Sequence, residues 1–346
     1  MTAPGAAAPT VSVVIVNWNG RRFLPRCLES LGAQTFPPSE IILVDNGSTD
    51  SSAAWVREHS PHVCLILNDR NVGFAAANNQ GIRAASGEFV ALLNNDAFPE
   101  PGWLAALVAA AQSNPRVGSV ASLMLFADRP EVVNSAGVSV DRCGVTWDRA
   151  GGEPASSQGT AIVPVFGASA GAALYRRSML LALDGLNEAY FIYLEDVDLA
   201  WRARWMGWEA VLAPAARVLH VHSGTTRQGS AFKTYLLARN KIHMLLTNYP
   251  WPHLLLLGPL LLLYDNLSLA QTLFGQRSLA GLRGRLAGWA TASQALRARR
   301  RVQAARRASA RVVFAALAPA EWPWRVPRRY AHLSPASTPR GEAAAP

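Results

Sequence analysis

The sequence predicts a doubly wound α/β fold with a mainly parallel sheet, and three observations carry that expectation. Strand-like apolar runs alternate with segments of helical spacing over roughly the first 125 residues. Half of the residues are hydrophobic, which is enough for a sizeable core. A length of 346 residues suits one large α/β domain with an appendage.

The elements follow in order. Val11-Ser-Val-Val-Ile-Val16 is a β-branched strand that ends at Asn17-Trp-Asn-Gly20. Phe23, Leu24, Cys27, Leu28 and Leu31 fall on one face of a helix from Phe23 to Gln34. Glu40 to Val44 is a second strand, closed by the turn Asp45-Asn-Gly-Ser-Thr-Asp50. A helix over Ser51–His59, a strand over Val63–Leu67, a small-residue helix over Asn71–Ala85 and a strand over Phe89–Leu93 come next. Pro101 opens another helix at a favourable first position, and Val117–Phe126 is one more strand. Glu131–Val165 loosens into a Gly- and Ser-rich hairpin or flap. Order returns with Val165–Tyr175, a short strand over Ala210–His220 and a helix over Ser230–Asn248. There is no internal repeat.

Cys27, Cys64 and Cys143 are far apart and show no metal-ligand spacing, which fits a reducing cytosol and argues against a disulfide framework. The first residues lack the basic and long apolar regions of a signal peptide and read as a disordered leader over 1–10. The net charge of +10 is uneven. From Arg277 to Pro346 there are 14 arginines and only Glu321 and Glu342, a balance of +12, whereas the preceding residues sum to −2. Such asymmetry calls for an anionic partner of the tail.

In an open parallel sheet, ligands bind at the carboxyl ends of the strands. Asn17-Trp-Asn19, Asp45-Asn-Gly-Ser48 and Asn94-Asn-Asp96 all fall there. Any one of them is ordinary turn chemistry, but three at equivalent ends define a shared pocket. Neither a dinucleotide fingerprint nor a P-loop is present, so a phosphate-bearing ligand would have its charge met by a metal. Asp96 is a natural oxygen ligand for Mg2+ or Mn2+. His220 and His222 alternate along a strand, so one of them can reach the metal or the phosphates.

Tyr193-Leu-Glu-Asp-Val-Asp-Leu-Ala-Trp-Arg202 crowds Glu195, Asp196 and Asp198 together behind an apolar run. Acids in a first helical turn favour the positive end of the helix dipole. Three that repel one another point further, to a base tuned near its operating pH.

Five segments occur in order: Val11–Gly20, Val44–Asp50, Asn71–Gly81, Leu92–Asp96 and Tyr193–Leu199. Together they resemble the family 2 inverting glycosyltransferases, especially their bacterial rhamnosyltransferase-like branch, over roughly Val11 to Asn248. The resemblance implies a GT-A fold, a nucleotide-diphosphate sugar donor and a divalent ion, Mg2+ or Mn2+. It implies that Asp196 is the catalytic base, with Glu195 its acidic neighbour. Asp45 should contact the nucleobase, with Asn17 and Asn19 beside the nucleoside and Asn71, Asn95 and Arg239 also on the donor side. Asp96 matches the last acid of the metal motif and His220 a histidine near metal and diphosphate. Two positions depart from the pattern: Asn94 replaces the first acid of the metal motif, and Asn187-Glu188 replaces the usual Asp-Glu.

The implied domains are the GT-A domain over 11–248, an apolar and Arg-rich helical membrane-associating region over 249–318, and an irregular tail over 319–346. Leu254–Leu263 is nearly continuous in leucine and shorter than the ~20 residues of a membrane span, and the apolar stretch is interrupted by Pro259 within it and Asp265 just after it. With the Arg-rich stretch Leu279–Phe314 it reads as an interfacial anchor for an anionic membrane surface. A buried helix is the alternative. No nucleic acid is expected, because the arginines lack interleaved aromatics. The expected protein is thus a peripheral enzyme at the cytoplasmic face of the cell membrane. It moves a sugar, L-rhamnose from dTDP-rhamnose by branch resemblance, to a lipid-linked or glycan acceptor. A nucleotidyltransferase would want a basic Gly-rich loop near the first strand, and a non-catalytic sugar or nucleic-acid binder would not need Asp96, Glu195 and Asp196.

Overall fold

The computed structural model describes residues 8–221 and 230–320. Most of the expected leader, His222 and nearly all of the expected irregular tail lie outside them. The chain runs β1 (Val11–Asn17), α1 (Leu24–Gly32), β2 (Glu40–Asp45), α2 (Ser52–His59), β3 (Cys64–Leu67), α3 (Phe74–Ala84) and β4 (Phe89–Asn94). It continues through β5 (Ala97–Pro99), α4 (Trp103–Gln112), β6 (Val117–Phe126) and β7 (Arg129–Ser135). The expected flap contains a separate two-stranded sheet of β8 (Val138–Val140) and β9 (Thr146–Asp148), followed by β10 (Val163–Pro164). β11 (Ala172–Arg176), α5 (Arg177–Ala182), α6 (Glu195–Trp205) and β12 (Glu209–His220) complete the nucleus.

The main sheet has ten strands, eight of them in the order β10-β12-β6-β11-β4-β1-β2-β3. β1 pairs in parallel with both β2 and β4, while β11 inserts antiparallel between β4 and β6. Both faces of β1 are covered. Val11, Val13 and Ile15 join Leu24, Leu28, Leu104 and Leu107 in one core, whereas Val14 joins Ala75, Ile82 and Leu180 in the other. Two-sided burial is why β1 and β4 read as continuous apolar runs rather than as alternating ones.

A third core lies beyond the sheet. Trp201 and Trp205 of α6 pack with Tyr249, Val302, Val313 and Leu317, and the Trp201 and Tyr249 rings stand 4.9 Å apart. Four of these residues follow Asn248, after α7 (Ala231–Asn248). The C-terminal helices therefore complete the core around α6, and a boundary at 248 does not separate two cores.

Two expectations for this region change. The Arg-rich stretch is not one helix but three: α9 (Ala280–Ala290), α10 (Ala292–Ala304) and α11 (Ala310–Ala315), with α8 (Trp251–Ala270) before them. At the α9–α10 break the Thr291 hydroxyl donates to the Ala287 carbonyl, 2.7 Å away, and also meets His243 Nε2 at 2.8 Å. Such side-chain bonds compete with a continuous helical ladder. The apolar run is longer than its leucines indicate, because Trp251–Gly275 form one 25-residue helical stretch, long and apolar enough by length and composition to cross a membrane. Asp265 does not interrupt it, since its carboxylate meets Arg285 of α9 at 2.7 and 3.0 Å. Nor is the helix buried, since Leu255 and Leu256 are 78% and 79% exposed.

A chain ending at Asn248 uncovers Trp201 and Trp205, and deleting one large buried aromatic costs ~3–5 kcal/mol in comparable cores. Such a chain is expected to aggregate or to lose its near-ultraviolet circular dichroism. A monomeric fragment that melts cooperatively would contradict this shared core.

Candidate active site

Sheet register assembles the first half of the site. Asn17 at the end of β1 pairs with Asp45 at the end of β2, and Val16 pairs with Asn94 at the end of β4. Strand order reverses between β1 and β4, the position where open α/β sheets bind ligands. Asn95 Nδ2 donates to Asn17 Oδ1 at 2.7 Å, and Asn17 Nδ2 donates to Asp45 Oδ2 at 2.9 Å and Ser48 Oγ at 3.1 Å. The Ser48 amide donates to the other Asp45 oxygen at 2.9 Å. Asn17, Asp45 and Asn95 are buried, so the network fixes the pocket floor rather than waiting in solvent.

A Cβ at Gly20 would stand 1.9 Å from Asn95 Nδ2, so only glycine lets this loop approach the network. Asn19, at φ 51°, accepts from the Thr49 amide at 2.8 Å and ties the loops after β1 and β2 together. Asn71 joins through Asn46: its Oδ1 accepts from Asn46 Nδ2 and the Gly73 amide, both at 2.9 Å.

The second half is a carboxylate and an imidazole. Asp96 Oδ1 lies 3.2 Å from His220 Nε2, and both side chains are almost fully buried. His220 Nδ1 meets Asn134 Oδ1 at 2.9 Å, and an amide oxygen only accepts, so Nδ1 carries the proton. Nε2 faces the Asp96 oxygen, so a ring without a second proton turns a lone pair toward it, while Asn94 Nδ2 lies 3.3 Å from the same nitrogen. Two lone pairs so close call for a cation, either a proton or a metal. Neighbouring ligands on an octahedral ion with bonds of ~2.1 Å are ~3 Å apart, so the donor atoms fit a divalent ion. Asn94, in place of an acid, stands beside this pair through His220. Among the described residues no three His, Cys, Asp or Glu side chains converge on one ion position. Were a divalent ion held here, Asp96 and His220 would supply two ligands and water or phosphate the rest, as in common Mg2+ sites.

The third part is the start of α6. Phe191, Tyr193 and Leu194 have φ of 65°, 71° and 67°, a left-handed run that non-glycine residues rarely adopt. Asn240 of α7 holds it: Asn240 Nδ2 lies 3.0, 3.0 and 2.8 Å from the carbonyls of Tyr190, Ile192 and Tyr193. Arg239 Nη2 donates to the carbonyls of Ala189 and Tyr190 at 2.8 Å. The Arg239 contacts seen here are thus with the acidic loop, not with the strand-end network. Asn187 accepts from the Ala189 amide at 3.1 Å and opens the short turn before this loop.

The loop gives the three acids different surroundings. Asp198 is fully buried and accepts from Arg202 Nε at 2.7 Å, from Asn248 Nδ2 at 2.9 Å and from the Tyr190 hydroxyl at 3.4 Å. Its charge is matched inside the protein, and its role is structural. Glu195 is also buried, and burial together with the Asp196 charge pushes its carboxyl well above the usual carboxylate range. Asp196 is partly buried and accepts from the amides of Ala170 at 3.2 Å and Val197 at 2.8 Å. Burial raises its carboxyl to about 6 against the pull of those amides, with the Asp148 charge adding to the rise. A carboxylate with a pKa near 6 is ionised at neutral pH yet basic enough to take a proton.

Several contributors were not legible in the sequence. Asn134 on β7 sets the His220 tautomer. Asp148 at the end of β9 is close enough for its charge to act on Asp196, and Lys233 and His220 lie close enough to act on Asp148. Burial raises the Asp148 carboxyl, and a Ser135 hydrogen bond, Lys233 and a protonated His220 oppose the rise. Lys233 also lies 5.2 Å from the centre of the Tyr193 ring. Asn134 and Asp148 come from the loosely patterned segment, where no periodicity marks which polar residue turns inward.

The chain's relatives agree with this architecture. The description "Glycosyl transferase family 2" matches residues 12–181. N-acetylglucosaminyl-diphospho-decaprenol L-rhamnosyltransferase of Mycobacterium tuberculosis is 32% identical over 253 residues, 66% of this chain and 81% of that protein. O-antigen biosynthesis protein RfbC of Myxococcus xanthus is 30% identical over 66% of this chain, which spans only 18% of that protein. The structure of GalNAc-T7 with UDP, GalNAc and Mn2+ superposes with a TM-score of 0.57 at 20% identity, over 69% of this chain and 48% of that one. The chain belongs to glycosyl transferase family 2. It is a glycosyltransferase of the rhamnosyltransferase-like type with a GT-A fold.

Asp196→Asn is expected to leave the fold intact and to lower kcat by ~10² to 10⁴, the usual contribution of a general base. In the wild type, kcat/KM should rise with pH through about 6, because the base acts only once ionised. Asp198→Asn should instead cost ~3–5 kcal/mol in denaturant melts, because it leaves the Arg202 charge buried without its partner. Full turnover by Asp196→Asn, or equal melting of the two variants, would reverse these assignments.

Proposed function

We propose that this enzyme transfers L-rhamnose from dTDP-rhamnose, with inversion, to a hydroxyl of a lipid-linked acceptor at the cytoplasmic face of the membrane. One observation carries the chemistry: a partly buried carboxylate with a pKa of about 6 is linked through Asp148 to the buried Asp96–His220 pair, where a cation fits. The acceptor hydroxyl attacks the anomeric carbon as its proton passes to an Asp196 oxygen. The bond from that carbon to the diphosphate oxygen breaks, and the nucleoside diphosphate leaves. Asp96 and His220 would hold Mg2+ or Mn2+, which when bound neutralises charge on the departing diphosphate.

The roles of the other residues follow their places. Asp45 meets the nucleobase, and Asn17, Asn19, Asn71 and Asn95 shape the wall that receives the nucleoside. Arg239 and Asn240 act through the acidic loop and keep Asp196 in position. Burial and the Asp196 charge push the Glu195 carboxyl up, which disfavours a second negative charge beside Asp196. The sugar and acceptor are supported by the M. tuberculosis relative, whose name gives an L-rhamnosyl group and a polyprenyl-diphosphate acceptor. The metal is supported by the Mn2+ with UDP in the GalNAc-T7 structure. Membrane residence is supported by the exposed leucines of α8 and by the arginines that follow.

The test is release of nucleoside diphosphate from a panel of dTDP-, UDP- and GDP-sugars with a polyprenyl-diphosphate N-acetylglucosamine acceptor. Turnover is expected with dTDP-rhamnose, with loss in excess chelator and recovery on adding Mn2+ or Mg2+. Preference for another nucleotide sugar would overturn the donor, and full activity in chelator would overturn the metal.

A further inference from the structure

A groove of about 570 Å³ lies between the start of α8 and α10, apart from the strand-end site. Its walls include Trp251, Leu296, Arg299, Arg300, Gln303 and Arg306. The volume is within the ~300–1,000 Å³ of small-ligand clefts. Three arginines line it, and among the described residues none of them lies within ion-pair distance of a carboxylate.

The arginines are held in place without being neutralised. Arg299 is buried, donates to the carbonyls of Leu246 and Tyr249 at the end of α7, and stacks 4.3 Å over Trp251. Arg306 stacks 4.1 Å over Trp205 and donates to Gln303 Oε1 at 3.0 Å. Burial lowers the pKa of Arg299, and the Arg306 charge lowers it further, so the fold tolerates a repulsion here that an anion would relieve. Planar guanidinium groups match phosphate oxygens in a fork.

What adjoins the groove selects the anion. Trp251 belongs both to the groove and to the helix Trp251–Gly275, on which Leu255, Leu256, Leu262, Leu263 and Phe274 are exposed. Free phosphate gains nothing from such a face, and nucleic acid would meet leucines where it needs stacking rings. A bilayer matches both features, since apolar side chains enter the acyl region and a tryptophan–arginine end meets the headgroups. We infer that the groove is a binding site for the phosphate of an anionic lipid headgroup, seated while the α8 face lies in the bilayer. The inference rests on the membrane residence proposed above and adds a defined site to it.

The test is flotation of the full chain with vesicles of phosphatidylcholine, with and without phosphatidylglycerol. Arg300→Ser with Arg306→Ser is compared with Arg277→Ser with Arg283→Ser, which removes equal charge from exposed positions outside the groove. An arginine at an anionic surface contributes about five-fold in partitioning, so the groove pair should lose ~25-fold on phosphatidylglycerol vesicles. The control pair should lose at most a few-fold. The exposed Arg300→Ser alone, which should lose about five-fold, keeps the test valid if the double variant misfolds. Equal losses from both pairs, or none from the groove pair, would overturn the groove while leaving membrane binding intact. No flotation of the wild type on either vesicle would overturn membrane residence itself. Release of the wild type by inorganic phosphate at matched ionic strength would replace the lipid with a free phosphate ligand. A nucleic-acid shift lost in the groove pair would replace it with a polynucleotide.

Discussion

The contacts from Asn240 and Arg239 to the carbonyls of residues 189–193 are the constraint on which the site depends. Left-handed backbone at non-glycine residues costs on the order of 1–3 kcal/mol each, and this loop has three such residues. Hydrogen bonds worth ~0.5–1.5 kcal/mol each offset much of that cost. The strain has a use: it turns the chain sharply at Leu194, so that α6 begins at Glu195 and Asp196 meets the Ala170 amide just before β11. The Phe191 carbonyl also accepts from the Ala75 amide at 3.1 Å, and a Cβ at Gly73 would strike the Phe191 ring at 2.6 Å. The acidic loop and the nucleoside wall are therefore built against each other.

From that placement the three acids divide by environment. Asp198 sits inside with Arg202, Glu195 is buried beside another carboxylate that pushes its pKa well up, and Asp196 is partly buried with two backbone donors. Mutual repulsion, which makes the motif look unfavourable on paper, is largely removed by these separate surroundings. Elsewhere, Asn134 fixes the His220 ring so that Nε2 faces Asp96. A base on one side and a cation position on the other are what a displacement at an anomeric carbon requires.

The parallel half of the sheet was legible because β1, β2 and β4 are apolar runs closed by Asn17, Asp45 and Asn94, and their register brings those ends together. The order of the five motifs identified the family. Asn134 and Asp148 were not legible, because long-range packing of an irregular segment decides which of its polar residues turns inward. The sequence placed Arg239 on the donor side, whereas the contacts seen here are with loop carbonyls. Composition alone also understated the apolar helix, since the partner of Asp265 lies 20 residues away on α9.

The central claim is that environment makes Asp196 the base. Carbon-13 NMR of carboxyl-labelled aspartate measures this without any assumption about the substrate. One aspartate should titrate near pH 6 in the free enzyme, and that resonance should vanish in Asp196→Asn. A resonance that vanishes in that variant yet titrates in the ordinary carboxylate range of ~3.5–4 would contradict the account.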